Sequence, residues 1–445
     1  MRYWFIMFSN SWYRAGIVLL LVLLSFQASA QQSTFSPYSI YGIGDPVDFS
    51  FAQHTGMGGT RLAVINGWSL NPANPAAWAT ITKGQGNRSS MPLFEAGFSM
   101  TRLSVESVNS TTNTNFSTLR NVAFGVPISN KIKAGVALVP YTAIGYELEN
   151  LQTLPELGTT EFEYRGEGGL NRVLAGVSYS IVKDSLQHLS FGTNFSYLFG
   201  IVEKIRTVRP NTSSGAYSVF FDEAAQIRGL KYDFGTFYQR SLNSKLKFTV
   251  GATYSPSTSL NADFADLSLT FFGNEGTIKD TLSNDSISLT GLNTPASFGF
   301  GLSFSIASKL TLAADYEATS WSDVQYDGVE LEDATRISFG LQYVPNYQDV
   351  NNLFSIVRYR AGVRYNATHM NVNGNQVEEY GINFGLGIPL LRASAKTSLN
   401  LAVDLSQRGV AEPNSIREQF ATFSVGITMA PNATFDRWFV KRKID

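Results

Sequence analysis

Cysteine is absent from this 445-residue chain, which excludes disulfides, thiolate metal sites and a lipidated N-terminal cysteine. Histidine is nearly absent, with His54, His188 and His369 the only three, falling in an irregular N-terminal stretch, a short turn and a long loop. Neither a metal cluster nor a Ser-His-Asp arrangement fits that spread, so no enzyme, no metal and no cofactor are expected. Charge is sparse as well: 16% of residues are Asp, Glu, Lys or Arg, where a soluble domain usually carries about a quarter. Long hydrophobic runs are missing beyond the first 30 residues; no later stretch approaches the roughly 18 continuous apolar residues of a membrane-spanning helix.

What the first 30 residues contain is an export signal. Arg2 and Arg14 lead into the apolar run from Ala15 to Phe26, and Ala28-Ser29-Ala30 forms an A-x-A cleavage site. Cleavage would leave Gln31 as the first residue, with 32 basic against 35 acidic residues and a net charge of -3. That balance offers no basic footprint for nucleic acid. An aromatic content of 13% and 38 glycines describe a strand-rich chain.

The strands show themselves by strict alternation. Leu399, Leu401, Val403 and Leu405 alternate with Asn400, Ala402, Asp404 and Ser406; Phe298, Phe300, Leu302 and Phe304 alternate with Gly299, Gly301 and Ser303. In a soluble sandwich the outward face is charged and the inward face bulky. Here one face is bulky and aromatic and the other small and polar, which is the pattern of strands whose outside meets lipid and whose inside lines a lumen. Fourteen segments qualify, centred near Phe98, Phe124, Val136, Val177, Phe195, Phe234, Val250, Phe300, Leu312, Phe339, Val363, Phe384, Val403 and Val425. The fold class is therefore all-β, a transmembrane antiparallel β-barrel of about 14 strands, an even number as closure requires in bacterial barrels. Short connections, such as Ser129-Asn130 and Leu242 to Ser244, alternate with longer ones, of which Glu147 to Gly169, Gly200 to Gln226 and Pro256 to Leu292 are expected as long outer loops. The last holds Leu260, Phe264, Leu267, Leu269, Phe271 and Phe272, an apolar set placed to capture a hydrophobic ligand.

Ahead of the barrel lies Phe49 to Ile81, with Gly58-Gly59 and the tandem Asn71-Pro72-Ala73-Asn74-Pro75-Ala76. It holds too many breakers for a long helix or a wall strand. Irregular backbone is tolerated at membrane depth only inside protein or a wet cavity, so this segment is expected to plug the lumen. The chain divides into a signal (1–30), a hatch segment (31–90), the barrel (91–431) and a tail (432–445).

The signal, the segment ending in Asn-Pro-Ala, the fourteen strands and the extended third and fourth outer loops together resemble the FadL-type outer-membrane transporters of long-chain fatty acids and aromatic hydrocarbons. The resemblance covers nearly the whole mature chain in architecture and rests at motif level on Gly58-Gly59-Thr60 and Asn71 to Ala76. Ser36 to Asp45 and Arg437 to Lys443 look like the ends of a Bacteroidetes branch of that family. The chain departs from the pattern in its longer N-terminus and in ending Lys443-Ile444-Asp445 where many barrels end in an aromatic residue. The resemblance implies a monomer in the outer membrane, surrounded by lipid, that passively takes up a hydrophobic small molecule and releases it sideways when the hatch shifts. FadL-like barrels also serve as type IX secretion components, which leaves a protein-binding or structural barrel as the alternative, with secretion-system proteins as partners.

Two sets of residues carry the mechanism. Pro140 lies within the third strand pattern, where it donates no ladder hydrogen bond and makes either a gap in the wall or the end of the strand. Asn71 to Ala76 would be the hatch beside it. Separately, Arg336, Arg358, Arg360 and Arg364, with Asp315 and Glu317, are expected to face the lumen, either as an ion-pair network pinning hatch to wall or as a site for a carboxylate headgroup. Arginine at Val403 or Val425 is expected to damage assembly, and arginine at Ser424 to be milder.

Overall fold

The structure is a computed structural model that describes residues 34–430, apart from 68, 82–91, 156, 212–214, 273–276, 308, 325–330, 350, 391–396 and 414. The expected signal and C-terminal tail lie outside the described residues.

Each alternating segment forms a wall strand. In chain order these are β1 (Leu93–Glu106), β2 (Thr111–Pro127), β3 (Ile132–Leu154), β4 (Gly158–Lys183), β5 (Gln187–Arg209) and β6 (Ser218–Ser241). Strand β7 comes in two pieces, Leu246–Ser255 and Ser259–Phe272, and β8 in two more, Thr277–Asn293 and Ala296–Ile306. Pro256 and Pro295 stand in the two interruptions, where a missing N–H breaks the ladder at matching height on adjacent strands. The wall continues through β9 (Leu310–Ser320), β10 (Ala334–Tyr343), β11 (Arg358–Val372), β12 (Asn375–Pro389), β13 (Ser398–Gly409) and β14 (Arg417–Met429). Strand β14 pairs antiparallel with β1 from Arg417 against Glu106 to Met429 against Phe94, which closes a 14-stranded barrel.

The two faces are as the alternation requires. Phe98, Phe300, Phe339, Val363, Phe384 and Val403 point out and are exposed, whereas Asn121, Asn194, Ser303, Asn383, Asn400 and Ser424 point in and are buried. Replacing Val403 by arginine is therefore expected to cost about 2–4 kcal/mol in a folding titration in lipid vesicles. Ser424 is a correction: it is 2% exposed, and at neighbouring Gly426 a Cβ would press on Ala52. The lumen is filled at this height, so an arginine there has no room and is not a mild change.

The three long connections are also corrected. They are strands rather than loops: β3 and β4 stay paired up to Leu154 against Gly158, β5 and β6 up to Val208 against Val219, and β7 and β8 up to Phe272 against Thr277. These ladders rise beyond the end of β9 as one projecting sheet, since upper β7 also pairs with β6. The apolar set of upper β7 thus has a packing role: Leu260 is fully buried among Ile43, Ile144, Leu170, Leu198 and Ile227, and Phe264 packs against that cluster. Of the remaining residues, Leu267, Leu269 and Phe271 are half-buried and Phe272 is exposed.

Candidate functional site in the barrel lumen

Residues 34–81 occupy the barrel interior. A short 3-10 helix, Pro37–Ile40, leads to a two-residue strand, Asp45–Pro46, then to a helical turn, Ala52–Thr55, and a second 3-10 helix, Pro75–Thr80. Proline opens both 3-10 helices, where its fixed φ suits the first turn and its missing N–H costs nothing. Asn74 caps the second, accepting the Ala76 N–H at 3.0 Å, and its side-chain amide donates to the carbonyls of Leu62 and Thr236. The Asn-Pro repeat is thus a rigid turn tied to plug and wall. Asn71 donates to the Arg61 carbonyl, Pro72 accepts from Asn194 of β5 at 2.8 Å, and Ala73 lines the lumen cavity with Pro140.

The helix that follows sets Trp78 into the wall. Its indole N–H donates to Asn194 Oδ1 at 3.0 Å, and its ring lies against Gly135 of β3 and Gly176 of β4, where any Cβ would overlap it. Phe51, Leu70, Ile81, Leu93, Ala123, Ala137 and Leu174 complete this apolar contact. At Gly58 and Gly59 the backbone turns with φ of 71° and 82° against β10 and β11, a conformation that strains other residues.

Charges join the same segment to the opposite wall. Arg61 pairs with Asp48 at 2.8 Å and with Glu317 of β9 at 2.7 Å, while Arg336 of β10 also pairs with Asp48 at 2.6 Å. Asp315 accepts the backbone N–H groups of Arg61 and Leu62 at 2.6 and 2.9 Å. Arg364 pairs with Glu379 and Asp404, and Arg360 donates to Gln342 and Asn400. Arg358 starts β11 and is half-buried. Of the expected lumen charges, three, Arg336, Asp315 and Glu317, bind the plug directly. Sequence reasoning missed the plug's own contribution, Asp48 and Arg61, although two charges flanking a glycine-rich turn in an otherwise apolar stretch were a usable signal.

Burial alone would raise the Asp48 carboxyl, but Arg336 and Arg61 beside it hold it well below the usual carboxylate range. Such a group stabilises the folded plug at pH above its unfolded value, about 4, and loses that contribution as pH falls through its lower folded value. Protease cleavage within residues 34–81 should accordingly rise on acidification, beginning at about pH 6.5 where unfolded histidine protonates and continuing below about pH 4 as the Asp48 contribution is lost. His54 is buried in the helical turn, and burial together with Arg360 and Arg61 pushes its imidazole down to about 3, so it stays neutral in the folded plug while the unfolded segment takes up a proton below about pH 6.5, which adds to the loss on acidification. His369 lies in β11, not a loop, stacked on Trp321 at 4.6 Å. Among the described residues no three His, Asp or Glu side chains are grouped to hold a metal.

The pairing of the wall is interrupted between β2 and β3. Strands β2 and β3 pair only from Val122 against Leu138 to Pro127 against Lys133. Above that height β3 bulges between Pro140 and Thr142, and the N-terminal segment takes the position of the missing neighbour: Asp45 and Pro46 pair with Ala143 and Thr142. Val47 N–H donates to Tyr141 at 3.0 Å, and Ser39 exchanges hydrogen bonds with the Gly145 backbone. On the other side Phe35 meets Phe116 of β2 at 6.1 Å, and Arg120 of β2 donates to the carbonyls of Asp48 and Ser50. Behind this seam lies a cavity of about 410 Å³ lined by Pro140, Tyr141, Arg172, Lys231, Asp233, Arg336, Arg364 and Arg408, a charged space.

A family model described as BamG matches residues 13–445. No curated protein sequence matches the chain. Among solved structures, the Pseudomonas putida toluene transporter TodX is 16% identical with a TM-score of 0.59, covering 86% of this chain and 99% of its own. The Ralstonia pickettii toluene transporter TbuX is 12% identical with a TM-score of 0.53 over 86% of this chain and 98% of its own, and a Pseudomonas aeruginosa FadL homologue is 13% identical with a TM-score of 0.52 over 85% and 98%. At these identities the likeness is one of fold, the FadL-type plugged barrel.

Proposed function

The chain belongs to the BamG family, and from its FadL-type barrel we propose that it is an outer-membrane channel for passive uptake of a hydrophobic small molecule, held closed by its N-terminal segment. The single observation that supports this reading is the interrupted β2–β3 pairing at Pro140, filled by residues 35–48. A wall gap closed by a separate segment opens when that segment moves, without breaking any strand-to-strand ladder of the barrel. Asn71 to Ala76 is a rigid turn tied to the wall at Asn194 and Thr236 whose Ala73 lines the lumen cavity, and ligand in the lumen shifts the balance between closed and open arrangements.

The experiment uses the absence of native cysteine. Pro46→Cys with Thr142→Cys places two cysteines on paired residues, within disulfide reach. Oxidation should abolish entry of a radiolabelled fatty acid into proteoliposomes, and reduction should restore it. Uptake that continues unchanged through the crosslinked protein contradicts the reading.

A second reading is favoured by the charged lumen and by the projecting sheet of β3 to β8, in which acidic residues outnumber basic ones. On that reading the barrel is a closed platform that binds proteins, such as secretion-system components, by its projecting strands. Absence of uptake by the reduced protein, together with loss of a co-purifying protein when the upper β7–β8 hairpin is shortened, would establish it in place of the first.

A further inference from the structure

Lys231 of β6 is 4% exposed, yet its ammonium has no hydrogen-bond partner in the protein. A buried cation in that state is costly. Two more donors lie beside it in the same condition: Arg172 of β4, 5% exposed, with Nε unpartnered, and Ser196 of β5, 1% exposed, with Oγ unpartnered. The register brings them together. Ser196 is directly opposite Lys231, and Leu198, two residues along the same face, is directly opposite Arg172. The nearby carboxylate, Asp233, is already engaged on both oxygens, accepting from Ser255 at 2.6 Å and from Arg172 Nη1 at 3.4 Å. Two cations thus face one anion. The Arg172 guanidinium is held between aromatic faces, 4.0 Å from the Phe49 ring of the plug and 5.9 Å from Tyr141, so its free edge has a fixed direction. Elsewhere in the lumen Arg336, Arg364 and Arg408 each hold a carboxylate.

We propose that Lys231 and Arg172, which line the lumen cavity beside the β2–β3 seam, form with Ser196 opposite Lys231 a binding site for one oxyanion, a carboxylate or phosphate. Lys231 supplies the unbalanced charge, Arg172 a directed N–H donor and Ser196 a neutral hydroxyl, a set that satisfies two oxygens of one ligand. Pro140, Tyr141 and Phe49 line the same cavity and offer an apolar surface to whatever carries the anion. Because Phe49 belongs to the plug, a ligand held here touches the segment that closes the seam. The site does not depend on the seam opening, since binding is read on the closed barrel.

Calorimetric titration of the full-length protein in a nonionic detergent tests this, with sodium octanoate, octyl phosphate, inorganic phosphate and octanol as probes. Octanoate should bind and octanol should not. Lys231→Met should weaken octanoate at least about tenfold, as loss of a charge-assisted contact would, and Lys231→Arg should restore most of it. Competition by inorganic phosphate as strong as by octyl phosphate identifies a free anion as the ligand; a clear preference for the alkyl forms identifies the head of an amphiphile. Equal binding of octanol and octanoate to the parent protein overturns the proposal without any variant, as does unchanged octanoate affinity in folded Lys231→Met. The oxidised Pro46→Cys, Thr142→Cys protein should still bind octanoate, so a failed uptake reading and a failed oxyanion site give different results.

Discussion

Trp78→Ala is expected to lower the stability of the plugged barrel by about 3–5 kcal/mol, as large aromatic truncations do in packed interiors. The ring fills the space left by Gly135 and Gly176 and is 1% exposed, and glycines flanking it have no side chains with which to close the void. Truncation also removes the N–H that Asn194 Oδ1 accepts, leaving a buried acceptor without its donor. Urea unfolding in vesicles should show an earlier transition, and limited proteolysis should cut within residues 34–81 while the strands stay protected. A transition within about 0.5 kcal/mol of the parent's, the range of an ordinary surface change, would mean that the indole is not the anchor.

The second large effect is at the opposite wall. Arg61→Met removes the cation that joins Asp48 to Glu317, and breaking a buried pair by deleting one partner costs about 3–5 kcal/mol because the other charge is left uncompensated. Arg336 still neutralises Asp48, so the loss falls mainly on Glu317 and should sit near the low end of that range. The double variant Arg61→Met, Glu317→Gln should recover part of the loss, measured as the unfolding midpoint of the two proteins side by side. A double variant weaker than Arg61→Met alone would show that Glu317 is held by something other than this pair.

The barrel was legible in the sequence because its signal is periodic. All fourteen expected centres, from Phe98 to Val425, lie in wall strands, since a strand between lipid and lumen must alternate along its whole length. The projecting ladders were not legible as strands. Segments such as Glu147–Leu154 and Thr277–Asn293 are wet on at least one face and carry charge among their apolar residues, and a polar, weakly alternating stretch reads as loop. The lumen charges illustrate the other limit. The inward direction of Arg336, Arg360, Arg364, Asp315 and Glu317 follows from strand parity, but the partners of Arg336, Asp315 and Glu317 do not, because Asp48 and Arg61 reach them from a plug 254 to 288 residues earlier in the chain. Lys231 and Arg172 have the same parity signal as the others, but their meeting depends on β5 lying between their strands, which no local pattern shows. Pro140 marked the interruption in the wall; that residues 35–48 would fill it depended on a tertiary contact invisible in any local pattern.

Closure of the wall rests on that contact. With Pro46→Cys fixed, a second cysteine is placed either at Thr142, its partner, or at Ala137, five residues along the same strand and within the β2–β3 ladder. Mild oxidation of intact outer membranes, read as a mobility shift on a non-reducing gel, should crosslink the Thr142→Cys pair almost completely and the Ala137→Cys pair hardly at all. Equal yields for the two, or none at Thr142, would contradict the claim that the N-terminal segment closes the wall.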